Sequence, residues 1–257
     1  MSEPAAAARG ALVADVSGAA DIHGVHGAAG LTHWKCLASR RDLDGDWEAV
    51  EWAAIPPGGV SGEHRHTRTE EIYFILSGRG EFLVDGTAHP ARPGSLLLTG
   101  VGAVHGLRNT GEDRLDWLVI EMLAPSTAEV LRGRTPRGTT DRTTGRTTEG
   151  KTVNAELHDL RAEGSVDPSG VFTGPLRTVG ISTLEPGATR ALASRTSEHT
   201  VFVLSGSGRA VSGGTTVGLT PGTALTLPLG ASADIAADGD GLELFHAELA
   251  VPDRAVQ

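Results

Sequence analysis

The chain has 257 residues, enough for one large domain or two small ones, each with a real core. Its 35 glycines and 13 prolines favour many short strands over long helices, and a net charge of −10 argues against nucleic-acid binding. No apolar run approaches the ~18 residues of a membrane helix, Met1 to Ala8 lacks a secretory pattern, and the single Cys36 excludes an internal disulfide framework and fits a reducing cytoplasm.

Residues 1–22 are rich in Ala and Gly without an apolar stripe and read as a loose N-terminal arm. Trp47 to Ile55 alternates and predicts a strand. Ile72 to Leu76 predicts a buried strand, and Glu81 to Val84 another, ending at the hairpin signal Asp85-Gly86. Leu96 to Leu98 and Leu115 to Met122 complete a first unit over 23–131. Residues 132–151 are almost all Thr, Arg and Gly and predict a solvated linker. Strand-like runs resume at Arg177 to Leu184, Thr200 to Leu204, Thr223 to Leu227 and Leu242 to Leu249, giving a second unit over 152–257.

The second unit repeats the first. Phe74-Ile75-Leu76-Ser77-Gly78-Arg79-Gly80 reads against Phe202-Val203-Leu204-Ser205-Gly206-Ser207-Gly208, an offset of 128 positions. Pro93-Gly94 maps to Pro221-Gly222, and Gly102 to Gly230, at the same offset. Two tandem all-β copies, as sandwiches or closed barrels, follow from this.

Candidate chemistry lies in the first copy. His64 and His66 alternate along one strand and so share a face. Glu71 opens the next strand and His105 comes from a later one. Two imidazoles side by side make a poor core pair, but three neutral nitrogens with one carboxylate suit a first-row divalent cation. A metal-free histidine cluster is the alternative, and Glu70 stands beside Glu71 as the alternative carboxylate. At the equivalent positions the second copy carries Leu192, Ser194, His199 and Ala233, so the site is lost there. His23, His26, His33, His158 and His246 lack ligand-type neighbours in the sequence, and His89 follows a turn and is expected to be exposed.

The spacing Gly58, His64, His66, Glu71, Gly78, followed by Gly94, Gly102, His105, Asn109, resembles the two motifs of the cupin superfamily, with Gly100 standing where proline is usual. The resemblance implies two tandem jelly-roll-like cupin β-barrels. It also implies one divalent metal ion (Fe, Mn, Ni or Zn) held by His64, His66, Glu71 and His105 in the first. Spacing to Gly78 favours Glu71 over Glu70, which should point outward. By parity Tyr73 and Ile75 face in with Glu71, while Phe74 and Leu76 face out. Tyr73 is the one tyrosine, a candidate catalytic donor or acid or else barrel filling. Trp52 and Leu107 are expected to line the same, mainly apolar, pocket for a small organic substrate.

The resemblance implies a metal-dependent enzyme, with dioxygenase-type oxidation in secondary metabolism as the first expectation. Isomerase, decarboxylase or cyclase chemistry is the alternative, and a non-catalytic sensor or binding module a further one. A homodimer is expected, with Phe74, Phe202 and Leu204 as candidate contacts, the alternative being that they join the two barrels within one chain. No nucleic-acid or membrane partner is expected.

Overall fold

The computed structural model describes residues 10–28, 30–133 and 154–251. All but two residues of the expected 132–151 linker, and residues 1–9 of the expected arm, lie outside the described residues. The first half carries β1 (Leu12–Asp15), β2 (Ala20–His23), β3 (Leu31–Ser39), β4 (Trp47–Ile55), β5 (Val60–Arg65), β6 (Thr69–Ser77) and β7 (Gly80–Val84). It continues through β8 (Thr87–Ala91), β9 (Ser95–Thr99), β10 (Val104–Asn109), β11 (Leu115–Leu123) and the helix α1 (Pro125–Leu131). The second half carries β12 (Ala155–Asp159), α2 (Leu160–Glu163), β13 (Ser165–Val166), β14 (Leu176–Leu184) and β15 (Thr189–Ala193). It ends with β16 (Ser197–Ser212), β17 (Thr215–Leu219), β18 (Thr223–Leu227) and β19 (Ser232–Ala250).

In the first barrel a seven-stranded sheet in the order β12-β9-β6-β11-β4-β3-β2 accompanies a four-stranded sheet β5-β10-β7-β8, all antiparallel. The second barrel makes both layers from one sheet, because β16 and β19 run through the corner. Residues 199–202 of β16 pair with β18, and residues 208–212 pair with β17. Register slips at Val203/Ser205 and Gly206/Gly208 mark the bend. The repeated Ser-Gly-x-Gly stands at this corner. Gly78 and Gly206 have φ of 83° and 79°, and a Cβ on either would overlap the carbonyl oxygen of Arg114 or Gly241.

Two strands cross the boundary expected between the halves. β1, expected to belong to a loose arm, pairs with β18 of the second barrel. β12, from the second half, pairs with β9 of the first. Since β9 and β18 are equivalent in the repeat, the halves exchange edge strands reciprocally, and each exchanged strand covers an edge that would otherwise be open.

Side-chain parity builds three cores. Ala53, Ile55, Tyr73, Ile75, Phe82 and Leu107 fill the first barrel. Leu192, Val201, Val203, Leu225, Ile235 and Leu244 belong to the second. The opposite faces of the same strands, with Trp47, Trp52, Phe74, Leu98, Phe202 and Phe245, form the core between the barrels. Phe74 meets Phe245 at 4.8 Å between ring centroids, and Leu204 packs against this core. Of the two expectations for Phe74, Phe202 and Leu204, contact between chains or between the barrels of one chain, the second is the one observed. A fully buried side chain of this size contributes ~1.5–3 kcal/mol, so a face of this kind holds the barrels together firmly.

A pair of buried carboxylates fastens the same junction. Glu70, 2% exposed, accepts the backbone N–H and hydroxyl of Thr173 and the N–H of Gly174. Its repeat partner Glu198, 0% exposed, accepts the N–H groups of Asp44, Gly45 and Leu229 and the indole N–H of Trp47. Glu70 does point out of its barrel as expected, but into the other half rather than into water. Among the described residues no helix is long and apolar enough to cross a membrane.

Candidate metal centre

Antiparallel pairing of β5 with β10 sets His64 directly opposite His105. His66 follows at the end of β5, and Glu71 enters from β6, opposite Thr99 of β9. His66, Glu71 and His105 are buried and His64 is half-buried. One ligand-type atom from each of the four lies within 4.8 Å of the others. The Nε2 atoms of His66 and His105 are 2.9 Å apart, and those of His105 and His64 are 3.3 Å apart. Glu71 Oε2 stands 2.8 Å from His105 Nε2 and 3.2 Å from His66 Nε2.

The far nitrogens are tied outward. His64 Nδ1 lies 3.1 Å from the Gly62 carbonyl, His66 Nδ1 3.1 Å from Thr69 Oγ1, and His105 Nδ1 3.0 Å from Thr99 Oγ1. A carbonyl only accepts, so the His64 proton sits on Nδ1 and its Nε2 lone pair faces the cluster. Both hydroxyls are able to accept from Nδ1, which would give the same tautomer, the usual outer support of a metal-bound imidazole. Burial, and then His105, push His64 down to about 4. Burial alone would raise Glu71, but His105 and His66 outweigh it and hold the carboxyl well below its usual range. Three imidazole edges converging on a buried carboxylate oxygen form a donor set that could hold a cation.

The four residues singled out in the sequence thus meet in space, and several others stand differently from expectation. Tyr73 is buried 4.5 Å (ring to ring) from His105, with Ser61 beside its hydroxyl, and burial holds it well above the usual phenol range. It lies behind the four candidate ligands and is not among the residues that line the cavity. Leu107 belongs to the barrel interior with it. Trp52, expected in the pocket, faces the other barrel because residues 49, 51, 53 and 55 take the inward face of β4.

The open cavity beside the ligands, about 590 Å³, is charged rather than apolar. Arg40, Arg65, Arg68, Glu48, Glu51 and Glu121 line it together with His64, His66 and Glu71. Apart from Glu51, midway along β4, these side chains come from loops or lie near strand ends at the barrel mouth, where water is available. Glu51 was not singled out, although its inward parity in the alternating 47–55 run was a usable signal. Burial pushes its carboxyl up to about 7 against the opposing Trp34 hydrogen bond, with Glu71 and Glu121 adding to the rise.

His26 was set aside and proves to belong to the site. Its ring stacks on His64 at 3.5 Å and 10°. A short turn, Val25–Gly27, carries it over β5, with His26 at φ 52°. His246, also set aside, meets His199 in the second barrel. His89 is half-buried rather than exposed.

Comparison with known proteins gives a consistent picture. The cupin domain family model matches residues 51–121. The oxalate-binding protein of Thermotoga maritima is 30% identical over 102 residues, which span 40% of this chain and 84% of that protein. Among solved structures, protein Ylba of E. coli aligns with a TM-score of 0.70 at 12% identity, over 95% of this chain and 92% of that one. Salicylate 1,2-dioxygenase of Pseudaminobacter salicylatoxidans aligns at 0.60 and 16%, over 80% and 72%. At such identities these structures speak for the fold.

Proposed function

The chain belongs to the cupin family, and we propose that its first barrel holds one divalent first-row metal ion through His64, His66, Glu71 and His105 and acts on a small organic acid. The observation that carries this reading is the convergence of the three imidazole Nε2 edges and Glu71 Oε2 within 4.8 Å, with every Nδ1 tied outward. When bound, the ion supplies Lewis-acid polarisation of a substrate oxygen and, as Fe, Mn or Ni, electron chemistry with dioxygen. Oxidation of the dioxygenase type is the first reading.

The chain's own residues do the rest. Thr69, Thr99 and the Gly62 carbonyl orient the three imidazoles. Tyr73, Ile75 and Leu107 close the barrel beneath the ligands and exclude water. Tyr73 keeps its proton and positions His105 by ring contact, a positioning role in place of the catalytic one. Arg65 and Arg68 at the cavity can receive an anion, whereas Arg40 is paired with Glu48. The related protein named for oxalate binding supports a carboxylate-bearing ligand. Glu51 takes up or releases a proton near neutral pH at the cavity wall. That proton-handling group favours a second reading, isomerisation or decarboxylation without oxygen consumption.

Metal analysis of protein purified without oxygen, followed by oxygen uptake with candidate organic acids, tests both readings. A single bound metal with substrate-dependent uptake supports oxidation, and turnover without uptake supports the second. Two metals per chain, or none after reconstitution, would refute the assignment of the site. His66→Ala should lose the metal and keep the fold, read by circular dichroism.

A further inference from the structure

The mouth of the second barrel has lost the four ligands and gained a different set of polar side chains. β16 pairs with β19 as β6 pairs with β11: His199 stands opposite Glu248 as Glu71 stands opposite Glu121. One pair further in, Val201 stands opposite His246 where Tyr73 stands opposite Val119. His246 therefore takes the inward place that an apolar residue fills in the first barrel. Arg190 shares the inward face of β15 with Leu192, at the position held by Gly62 in the first copy. Its Nη1 donates to Ser182 Oγ on β14 at 2.9 Å, across the barrel. His199 Nδ1 and His246 Nε2 are 3.1 Å apart, with the rings nearly parallel at 5.3 Å. Ser197 Oγ donates to Glu248 Oε1 at 2.7 Å.

Arg190 is the unusual member. It is half-buried, and no carboxylate among the described residues forms an ion pair with it; its one hydrogen-bond partner there is the neutral Ser182 hydroxyl. A guanidinium presents five donors in a flat fork, and most of them have no acceptor here. With one neutral partner the fork keeps unused donors, and at the same position the other copy has glycine.

We propose that the second barrel binds a small monocarboxylate, with Arg190 pairing to its oxygens beside the His199–His246 pair. A cation is disfavoured because the guanidinium occupies the same mouth. Burial, and then Arg190, push His246 down to about 3, and burial lowers His199 against the opposing pull of Glu248, so both rings are neutral and one of their two N–H groups is spent between them. Glu248 faces the same mouth and repels a second negative charge, which selects a monoanion over a dianion. This site is separate from the metal centre and stands or falls independently of it.

The test is a titration of the zinc-loaded full chain, labelled with ¹⁵N-histidine, with acetate and then with oxalate. The expected result is a saturable shift of the His199 and His246 ring signals by acetate, weaker for oxalate, and at least tenfold weaker for acetate in Arg190→Gln. Ring signals that do not move, or that move equally in Arg190→Gln, overturn the proposal. Should that variant fail to fold, Arg190→Lys keeps the charge and loses the fork, and must weaken acetate severalfold. Unchanged affinity there overturns the proposal equally.

Discussion

Glu198→Gln tests how the two barrels are joined. The Glu198 carboxylate is 0% exposed and accepts four N–H groups, at 2.9 Å from Asp44, 2.8 Å from Gly45, 3.0 Å from the Trp47 indole and 2.9 Å from Leu229. Oε1 takes the first and last of these, and Oε2 the middle two. Glutamine offers one oxygen and one NH₂. Whichever way the amide turns, two buried donors face another donor. Each orphaned buried donor costs ~1–3 kcal/mol, so the expected loss is ~2–6 kcal/mol, a large share of a usual 5–15 kcal/mol. Glu70→Gln is the internal control. Its Oε1 takes both Thr173 donors and its Oε2 only Gly174, so a well-turned amide orphans one donor and costs ~1–3 kcal/mol. Urea unfolding followed by tryptophan fluorescence reads both. A loss below ~1 kcal/mol for Glu198→Gln, or a larger loss for Glu70→Gln, would refute the donor count as the source of the energy.

Thr99→Val keeps the shape of its side chain but removes the oxygen facing His105 Nδ1, and should weaken metal affinity by ~10–100-fold while leaving the melting curve of the metal-free protein nearly unchanged. His246 is pushed down to about 3 from 6.5, so the unfolded chain takes up a proton that the folded one refuses as pH falls below ~6.5. Stability present above that pH is then lost at up to ~1.4 kcal/mol per unit of pH toward 3, and His246→Phe should flatten that slope in acid denaturation curves. Glu51 is shifted the other way, up to about 7 from 4.5, so stability present below the unfolded value is lost as pH rises through 7. Glu51→Gln should therefore stabilise the metal-free protein at pH ~8 and change little at pH ~4, read by thermal melts at the two values.

The candidate ligand set was legible from residue spacing because its geometry is mostly local. Alternation along β5 puts His64 and His66 on one face, and the turn before β6 returns Glu71 to it. The tandem repeat was legible for a similar reason: Gly78 and Gly206 occupy a left-handed corner that leaves no room for a Cβ, so the same residue recurs wherever that bend is made. The partners of each face were not legible. Alternation identifies Phe74 and Phe202 as facing away from their barrel interiors, yet an apolar face turned toward a second chain and one turned toward a second barrel have the same pattern. Likewise β1 and β12 are short strands whose sequence fits either barrel, and only closure of the opposite edges assigns them. His26 reaches His64 through a turn at the end of β2, and His246 meets His199 across paired strands. Spacing along the chain constrains side chains within a strand or across a tight turn, whereas these contacts depend on how distant strands pair and close, which only the tertiary structure decides.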